Sequence, residues 1–239
     1  MEISLDLEFI RRILDQESKL AGEEIPSRGV LVALGESQGR HDERINAAPD
    51  VNSLACRAGC SWCCHFTVDV RPVEVFRILD FVEQKFSDER KARVYAEIRA
   101  HAADLAGLDD VARMRRNVRC PFLDTGGGCS IYPVRPQTCR NYHATSSAGC
   151  RQSYEQPDNL EIDPEFAPYV YQAGAAHVDG FSRGMREAGY DHLAYELNGA
   201  LEAALSDPAA RERFMSKEPP FPRLVGREVP EEFDDLEDD

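Results

Sequence analysis

The sequence predicts a mainly α fold: an irregular helical domain with a cysteine-rich loop at its core. Three observations lead to this prediction. Apolar residues recur every three or four positions through most of the chain. Residues 120–150 lose this periodicity and are interrupted by prolines and glycines. Strands and helices do not alternate, and no internal repeat is found.

The length, the net charge and the first residues limit the classes to which this protein can belong. The chain has 239 residues, of which 42% are hydrophobic, which is enough for one well-buried domain. Its formal net charge of −15 would repel nucleic acid and anionic membranes. The chain begins with acidic residues and contains no window of about 18 apolar residues, so neither a signal peptide nor a membrane span is predicted. We therefore expect a cytoplasmic protein with no nucleic-acid or membrane partner.

The pattern of apolar residues in residues 1–50 predicts helices that pack on the core. Apolar residues at helical spacing indicate a first helix over residues 3–20. Val30, Leu31 and Leu34 begin the apolar face of a second helix over residues 27–47, which ends before Pro49.

Residues 51–216 predict a single helical domain that contains all the cysteines. Residues 66–70 alternate as a short extended segment, and Pro72 then opens a helix that ends at about Phe86. Ser87 caps another helix that runs to Gly107, and a helical turn follows at residues 109–116. Residues 120–150 predict a loop with one or two helical turns at residues 135–142. Further helices are predicted from Pro164, over residues 191–205 and over residues 208–217.

Residues 217–239 predict a disordered acidic tail. Prolines are followed by the terminal run Glu231–Asp239, in which acidic residues predominate. Such a segment lacks the apolar residues for a core, and it offers a contact surface for another protein.

All eight cysteines lie between residues 56 and 150, in two blocks. The first block is a C-x3-C-x2-C-C run and the second is more widely spaced. Thiolates are the preferred ligands of zinc and of iron-sulfur clusters, and the cytoplasm keeps thiols reduced. We therefore predict zinc or iron, including a [4Fe-4S] cluster, as the cofactor. The predicted metal ligands are Cys56, Cys60, Cys63, Cys64, Cys120, Cys129, Cys139 and Cys150.

The grouping of these thiols stays open at the level of the sequence. Cys63 and Cys64 are neighbours, whose side chains diverge on a helix or a strand, so they are not expected to serve one site in the same way. Either two four-cysteine sites form, or one site forms and the other cysteines are reserve, redox or packing residues. In a purely structural interpretation, Cys64 and Cys150 are buried apolar residues.

Arginines surround the second cysteine block. Between Val111 and Arg151 there are seven arginines and one acid, Asp124, although the whole chain is acidic. Arg135 and Arg140 flank Cys139, and we predict that they bind the metal cofactor indirectly, by lowering thiol pKa values and donating hydrogen bonds to sulfur. In a second interpretation, Arg113, Arg115 and Arg116 form a solvent-exposed helix face. In a third interpretation, the arginines form a site for an anionic substrate or cofactor.

Two histidines lie next to cysteines. His65 and His143 are alternative ligands of a mixed site, whereas the other four histidines lack ligand spacing. Gly126–Gly128 lacks the features of a phosphate loop and predicts a sharp turn near Cys129.

The combined cysteine motif resembles a known family. Besides the C-x3-C-x2-C-C run, the chain carries Cys120-Pro-Phe-Leu, Gly128-Cys129-Ser-Ile-Tyr132, Arg135-Pro-x-x-Cys139-Arg140 and a final Cys150. Over residues 56–150 this pattern resembles the YkgJ-like cysteine-cluster family of zinc- or iron-chelating domains. The resemblance implies metal binding through the eight cysteines. A similar cluster occurs in the flagellin lysine N-methylases, which adds a methyltransferase alternative.

Three functions are compatible with the sequence. The first is a metal-binding protein that holds zinc or an iron-sulfur cluster through clustered thiolates. The second is an iron-sulfur-dependent enzyme that uses S-adenosylmethionine, since Cys56, Cys60 and Cys63 have the spacing found in radical enzymes of that kind. The third is a thiol redox sensor or adaptor. The sequence leaves open whether the protein is an enzyme.

Overall fold

Helices dominate the fold, as predicted. The structure is a computed structural model that describes residues 5–228. The helices are α1 (Leu7–Arg28), α2 (Val30–Ala47), α3 (Pro72–Lys85), α4 (Asp88–Leu105), α5 (Asp110–Met114), α6 (Gln137–Asn141), α7 (Ser147–Glu155), α8 (Pro168–Glu187), α9 (Leu197–Ser206) and α10 (Ala210–Met215). Short 3₁₀ turns span Val51–Ser53, Trp62–His65 and Tyr132–Val134. The strands β1 (Asp69–Val70) and β2 (Tyr195–Glu196) pair antiparallel.

Helices α1, α2 and α8 pack against one another, and we call this three-helix unit the frame. Glycines on α8 allow α1 to approach closely. A Cβ atom built on Gly180 would lie 2.6 Å from the carbonyl oxygen of Leu14, and one on Gly184 would lie 2.5 Å from the Cβ of Ala21. Larger side chains at these two positions would therefore push the helices apart.

The main hydrophobic core lies beside the frame. Helices α3, α4, α9 and α10 contribute most of it, and the facing parts of α1, α2 and α8 complete it. Aromatic side chains fill its centre: the ring of Phe76 lies 5.4 Å from that of Phe214 and 6.1 Å from that of Phe221. These contacts anchor the chain on both sides of the second cysteine block.

The cysteines lie on two stretches, residues 54–66 and 117–166, which we call the cysteine region. Backbone hydrogen bonds join the stretches: Val118 N donates to the His65 carbonyl over 2.8 Å, and Ala55 N donates to the Ala144 carbonyl over 2.9 Å. Two parts of the chain that are distant in sequence are thereby held side by side.

Several helix boundaries differ from the predicted ones. Helix α1 continues to Arg28 rather than ending at residue 20, because Ala21 and Ile25 prolong its buried stripe. Helix α9 begins at Leu197 rather than residue 191, because Tyr195 and Glu196 pair with β1. Helix α7 was not predicted: residues 147–155 carry few apolar side chains, and Ser146 caps the helix by accepting a hydrogen bond from Ala148 N.

The prediction of a disordered tail from residue 217 is wrong for residues 217–228. Phe221 is 2% exposed and packs in the main core, and Arg227 forms an antiparallel bridge with Ala194. The Arg227 guanidinium also forms ion pairs with Asp69 and Asp110. One aromatic residue between prolines is enough to fix this stretch. Residues 229–239, which include the acidic run, lie outside the described residues.

No helix within residues 5–228 combines the length and the apolar content that a membrane crossing requires.

Candidate metal centre

The first cysteine block is a tight loop followed by a 3₁₀ turn. Cys60 N donates to the Arg57 carbonyl over 3.0 Å, and Gly59 has a φ of 84°, which a residue with a side chain rarely adopts. The turn Trp62–His65 then carries Cys63 and Cys64. The backbone of this block therefore curls back on itself and presents its thiols within a few residues.

Asp124 shapes the second block. Its Oδ1 accepts hydrogen bonds from Gly126 N over 2.8 Å and from Gly128 N over 2.7 Å. The sharp turn predicted for these glycines is confirmed by Gly127, whose φ is 80°. A Cβ atom on Gly127 would lie 3.0 Å from the carbonyl oxygen of Gly59, so the two blocks meet at a pair of glycines.

The last two cysteines are carried by short helices. Cys139 lies in α6, whose Thr138 hydroxyl donates to the Asp69 carbonyl over 3.1 Å. Cys150 lies in α7 and is buried, whereas Cys56 is exposed. Helices fix the direction of both side chains more firmly than the surrounding loops would.

All eight cysteines are free thiols, and many of them raise one another's pKa. Burial, followed by the charges of Cys120, Cys129 and Cys64, holds the pKa of Cys139 well above its usual value. Burial likewise raises the pKa of Cys120 to about 12. The charge of one thiolate therefore makes the ionisation of a neighbouring thiol less favourable.

Cys63 and Cys64 form a hydrogen-bonded pair. Their shared hydrogen bond lowers the pKa of Cys64 to about 7 and raises that of Cys63. Arg135 and Arg119 lower the pKa of Cys64 further through their charges. Cys64 is therefore the thiol that ionises most readily in this pair.

The donor set fits zinc or iron by its chemistry. Within residues 5–228, no group of three or more Cys, His, Asp or Glu side chains has the geometry of a completed metal site. The thiols are nevertheless reduced, close together and partly desolvated, and a cation relieves the mutual repulsion of thiolates. These side chains would have to converge on an ion to complete a sulfur-ligated site.

The two predicted arginines have different environments. Arg140 is 2% exposed, and its guanidinium binds the Asp42 carboxylate over 2.6 Å and the Pro133 carbonyl over 2.6 Å. The Arg135 guanidinium lies 4.2 Å from the Tyr132 ring centroid, and its buried Nε has no hydrogen-bond partner within residues 5–228. Arg140 is thus mainly a structural link between α2 and the cysteine region, and Arg135 keeps a donor free.

Other charged and aromatic residues meet the site. Arg113 pairs with Asp110 and Asp69 rather than lying on a solvated face, whereas Arg115 and Arg116 are exposed. His65 Nδ1 lies 3.0 Å from the Ser61 carbonyl oxygen. Burial lowers the pKa of His143 to about 4, which keeps its imidazole neutral.

Sequence analysis missed three contributors to the site. Tyr154 packs its ring on Trp62 at 5.4 Å and on His65 at 4.9 Å. Tyr142 lies near the cysteines, and burial and nearby thiolates raise its pKa. Asp42 holds Arg140 from a different helix. None of these three follows from a local pattern, whereas Asp124, two residues before three consecutive glycines, carried a turn signal that would have revealed its role from sequence.

Comparison with known families gives one match. Residues 55–164 match the model of the CxxCxxCC family, described as "Putative zinc- or iron-chelating domain". Comparisons with curated proteins and with solved structures give no significant match.

Proposed function

The segment 55–164 belongs to the CxxCxxCC family, and we propose that this protein binds zinc or iron through the thiolates of its eight cysteines. We place it in the cytoplasm, where thiols stay reduced. The proposed ligands are the residues predicted from the sequence.

One observation carries the proposal: eight free thiols come from two distant parts of the chain that backbone hydrogen bonds hold side by side, and burial followed by neighbouring thiolates raises the pKa of Cys120, Cys129 and Cys139. The raised pKa values keep these thiols protonated and neutral in the metal-free chain, because each desolvated thiolate would repel the next. A bound cation removes the repulsion and releases the thiol protons. The arrangement is therefore better suited to holding metal than to stabilising the metal-free chain.

Arg135 is the proposed second contributor. Its charge lowers the pKa of Cys64, Cys129 and Cys139, and its Nε–H is available to a sulfur ligand. Since a metal held by four thiolates is anionic, a nearby guanidinium stabilises it. The charge of Arg140 also acts to lower the pKa of Cys129, but its guanidinium donates its hydrogen bonds to Asp42 and to backbone carbonyls.

The experiment is anaerobic purification followed by metal analysis and absorption spectroscopy. A sulfur-ligated cluster gives a brown protein with absorption near roughly 400 nm, whereas zinc gives a colourless protein with stoichiometric metal. A reduced protein that carries no metal, and takes up neither zinc nor iron, would overturn the proposal.

A thiol redox sensor is the second candidate, and the Cys63–Cys64 pair favours it. A thiol with a pKa of about 7 is largely available as thiolate at neutral pH. Selective alkylation of Cys64 in a protein that cannot be loaded with metal would support this function. The enzyme alternatives require S-adenosylmethionine binding, and calorimetry that detects none removes them.

A further inference from the structure

We infer that Glu74 is a positioning residue of the proposed metal centre. Its buried carboxylate joins helix α3 of the main core to helix α6, which carries Cys139. This inference rests on the proposed metal binding and adds a residue outside the cysteine region that holds one of the proposed ligands in place. The hydrogen bond that carries it runs from Gln137 N to Glu74 Oε1 over 2.7 Å.

Both oxygens of the Glu74 carboxylate are held by backbone donors. Glu74 is 1% exposed and lies between Val73 and Val75, which are fully buried in the main core. Its Oε2 accepts a hydrogen bond from Arg71 N over 2.8 Å, while Oε1 accepts the one from Gln137 N. A buried carboxylate is tolerated when donors satisfy it, so these two amides hold the side chain in one orientation.

Helix α6 needs a partner of this kind. It has five residues, little more than one turn, and such a short helix is not stable alone in water. Its first N–H groups have no acceptor within the helix, and Pro136, which precedes it, provides no side-chain cap. Glu74 supplies the missing acceptor to the first of these groups from another helix.

Helix α3 depends far less on the same carboxylate. It spans 14 residues and begins at Pro72, which has no N–H to satisfy. Its apolar face, which includes Phe76, Ile78 and Val82, is buried in the main core. Loss of the Glu74 carboxylate would therefore act on α6 more than on α3.

The other anchors of α6 hold its side chains rather than its first backbone amide. The Thr138 hydroxyl donates to a carbonyl of β1, and the Arg140 guanidinium binds a carboxylate of α2. Gln137 and Cys139 lie in the same helical turn, so a movement of the Gln137 amide is passed directly to the Cys139 backbone. Metal–ligand distances are fixed to within about 0.2 Å, which makes a metal site sensitive to such a movement.

The test removes this hydrogen bond from the full chain with a matched pair of variants. Gln137→Pro deletes the N–H donor, and proline is tolerated at the first position of a helix. The preceding Pro136 already has the extended backbone that a following proline requires, with φ −51° and ψ 150°. Gln137→Ala is the control, because it removes the same buried side chain and keeps the N–H. Glu74→Gln leaves one acceptor oxygen for two N–H donors, and it replaces the proline variant if circular dichroism shows that the latter does not fold.

Zinc is the first probe and cobalt(II) is the second. Zinc-loaded Gln137→Pro should transfer its metal to a chelator about tenfold faster than Gln137→Ala, as expected for the loss of a hydrogen bond to a charged acceptor. Cobalt-loaded Gln137→Pro should show weaker thiolate-to-cobalt absorption than the control, because Cys139 is displaced. Lower overall stability alone would leave this absorption unchanged. Adding Glu74→Gln to Gln137→Pro should not speed the transfer further, because both changes act on the same bond.

The outcomes separate the placement of Cys139 by Glu74 from metal binding itself. Equal transfer rates in the two variants, or faster transfer with unchanged absorption, overturn the positioning role and leave metal binding standing. If the wild-type protein takes up neither zinc nor cobalt, the proposed function fails, and hydrogen exchange of the metal-free variants then tests the positioning role. Faster exchange at the Thr138 and Cys139 amides in Gln137→Pro than in Gln137→Ala supports that role, and equal exchange overturns it.

Discussion

The frame and the cysteine region both contain closely packed polar groups, but they differ in where charged partners come from. In the frame, the Glu17 carboxylate is 0% exposed and binds Arg40 over 2.7 Å and Arg44 over 2.7 Å. In the cysteine region, the neighbours of the thiols are largely other thiols, which raise one another's pKa. Buried charges are tolerated when they are paired. The buried carboxylate of the frame is therefore paired within the chain, whereas the clustered thiols would gain an oppositely charged partner only from a bound cation.

Loss of a metal ligand should give the largest effect, and it should be confined to the cysteine region. Cys139→Ser should lose metal and loosen residues 120–150, because the proposed coordination would add to the apolar burial of Phe122, Ile131 and Val134 in this stretch. We expect tryptic cleavage at Arg119 or Arg140 to accelerate at least about tenfold, which corresponds to about 1.4 kcal/mol of local stability. Thr138→Ser is the control, and equal protease resistance of the two variants would contradict the prediction.

Removing the buried carboxylate should damage the frame instead. Glu17→Ala leaves Arg40 and Arg44 without their shared partner and should lower the free energy of unfolding by about 3 kcal/mol or more. Urea denaturation measures this change. Glu36→Ala is the control, because Glu36 and Arg28 are more than half exposed and lie 3.7 Å apart, so its effect should stay below about 0.5 kcal/mol.

Acidification should also act on the frame, through His177 and His41. Both are 0% exposed, and burial lowers the pKa of each below its usual value. His177 Nε2 lies 2.9 Å from the Ser37 hydroxyl, and its Nδ1 faces the Arg44 guanidinium, so the ring is neutral. His41 Nδ1 lies 3.9 Å from Asp42 Oδ1, too far for a hydrogen bond.

Because the folded pKa values lie below the unfolded ones, the stabilisation is complete above about pH 6.5 and declines as the pH falls towards the folded values. The decline should reach up to about 1.4 kcal/mol per pH unit for each imidazole. Urea denaturation at several pH values measures it. Replacing both histidines with glutamine should flatten the profile; an unchanged slope would show that other groups control it.

A smaller effect is expected where the frame meets the chain that leads to the cysteines. Asp50 accepts hydrogen bonds from Tyr169 N over 2.8 Å and from Val170 N over 3.1 Å, whereas Ala167 gives α8 no side-chain cap of its own. Asp50→Ala should cost about 1 kcal/mol and speed hydrogen exchange at these two amides. Asp50→Asn keeps an acceptor and should cost less.

Deletion of residues 229–239 should have the smallest effect. We expect unchanged metal content and a change in stability below about 0.5 kcal/mol, because Phe221 and Arg227 already make the described contacts of the C-terminal stretch with the core and with Asp69. Phe221→Ala provides the contrast: it removes a buried ring and should cost about 3 kcal/mol. A large loss of metal in the truncated protein would show that the acidic segment contributes to the site.

Sequence analysis succeeded where the physics is local. The start of α3 at Pro72 and the start of α4 after Ser87 follow from apolar periodicity and from capping, and both were predicted closely. The cysteine blocks were evident from their spacing alone. The mainly α class follows from the same periodicity.

Long-range contacts could not be predicted from the sequence. The ion pair between Asp42 and Arg140 links positions far apart in the chain, and no local sequence pattern indicates it. Glu17 looks like a surface residue of an amphipathic helix until α2 and α8 cover it. The grouping of the thiols likewise depends on which backbone segments lie side by side.

The contact between Asp50 and the start of α8 means that the chain leaves the frame and re-enters it at the same corner. Everything between these points, including all eight cysteines, is a closed loop. For a flexible loop of about 120 residues, closure carries an entropy cost on the order of 4 kcal/mol. Helix packing in the frame offsets that cost before any ligand binds, so the cysteine region starts from a closed loop rather than from an open chain.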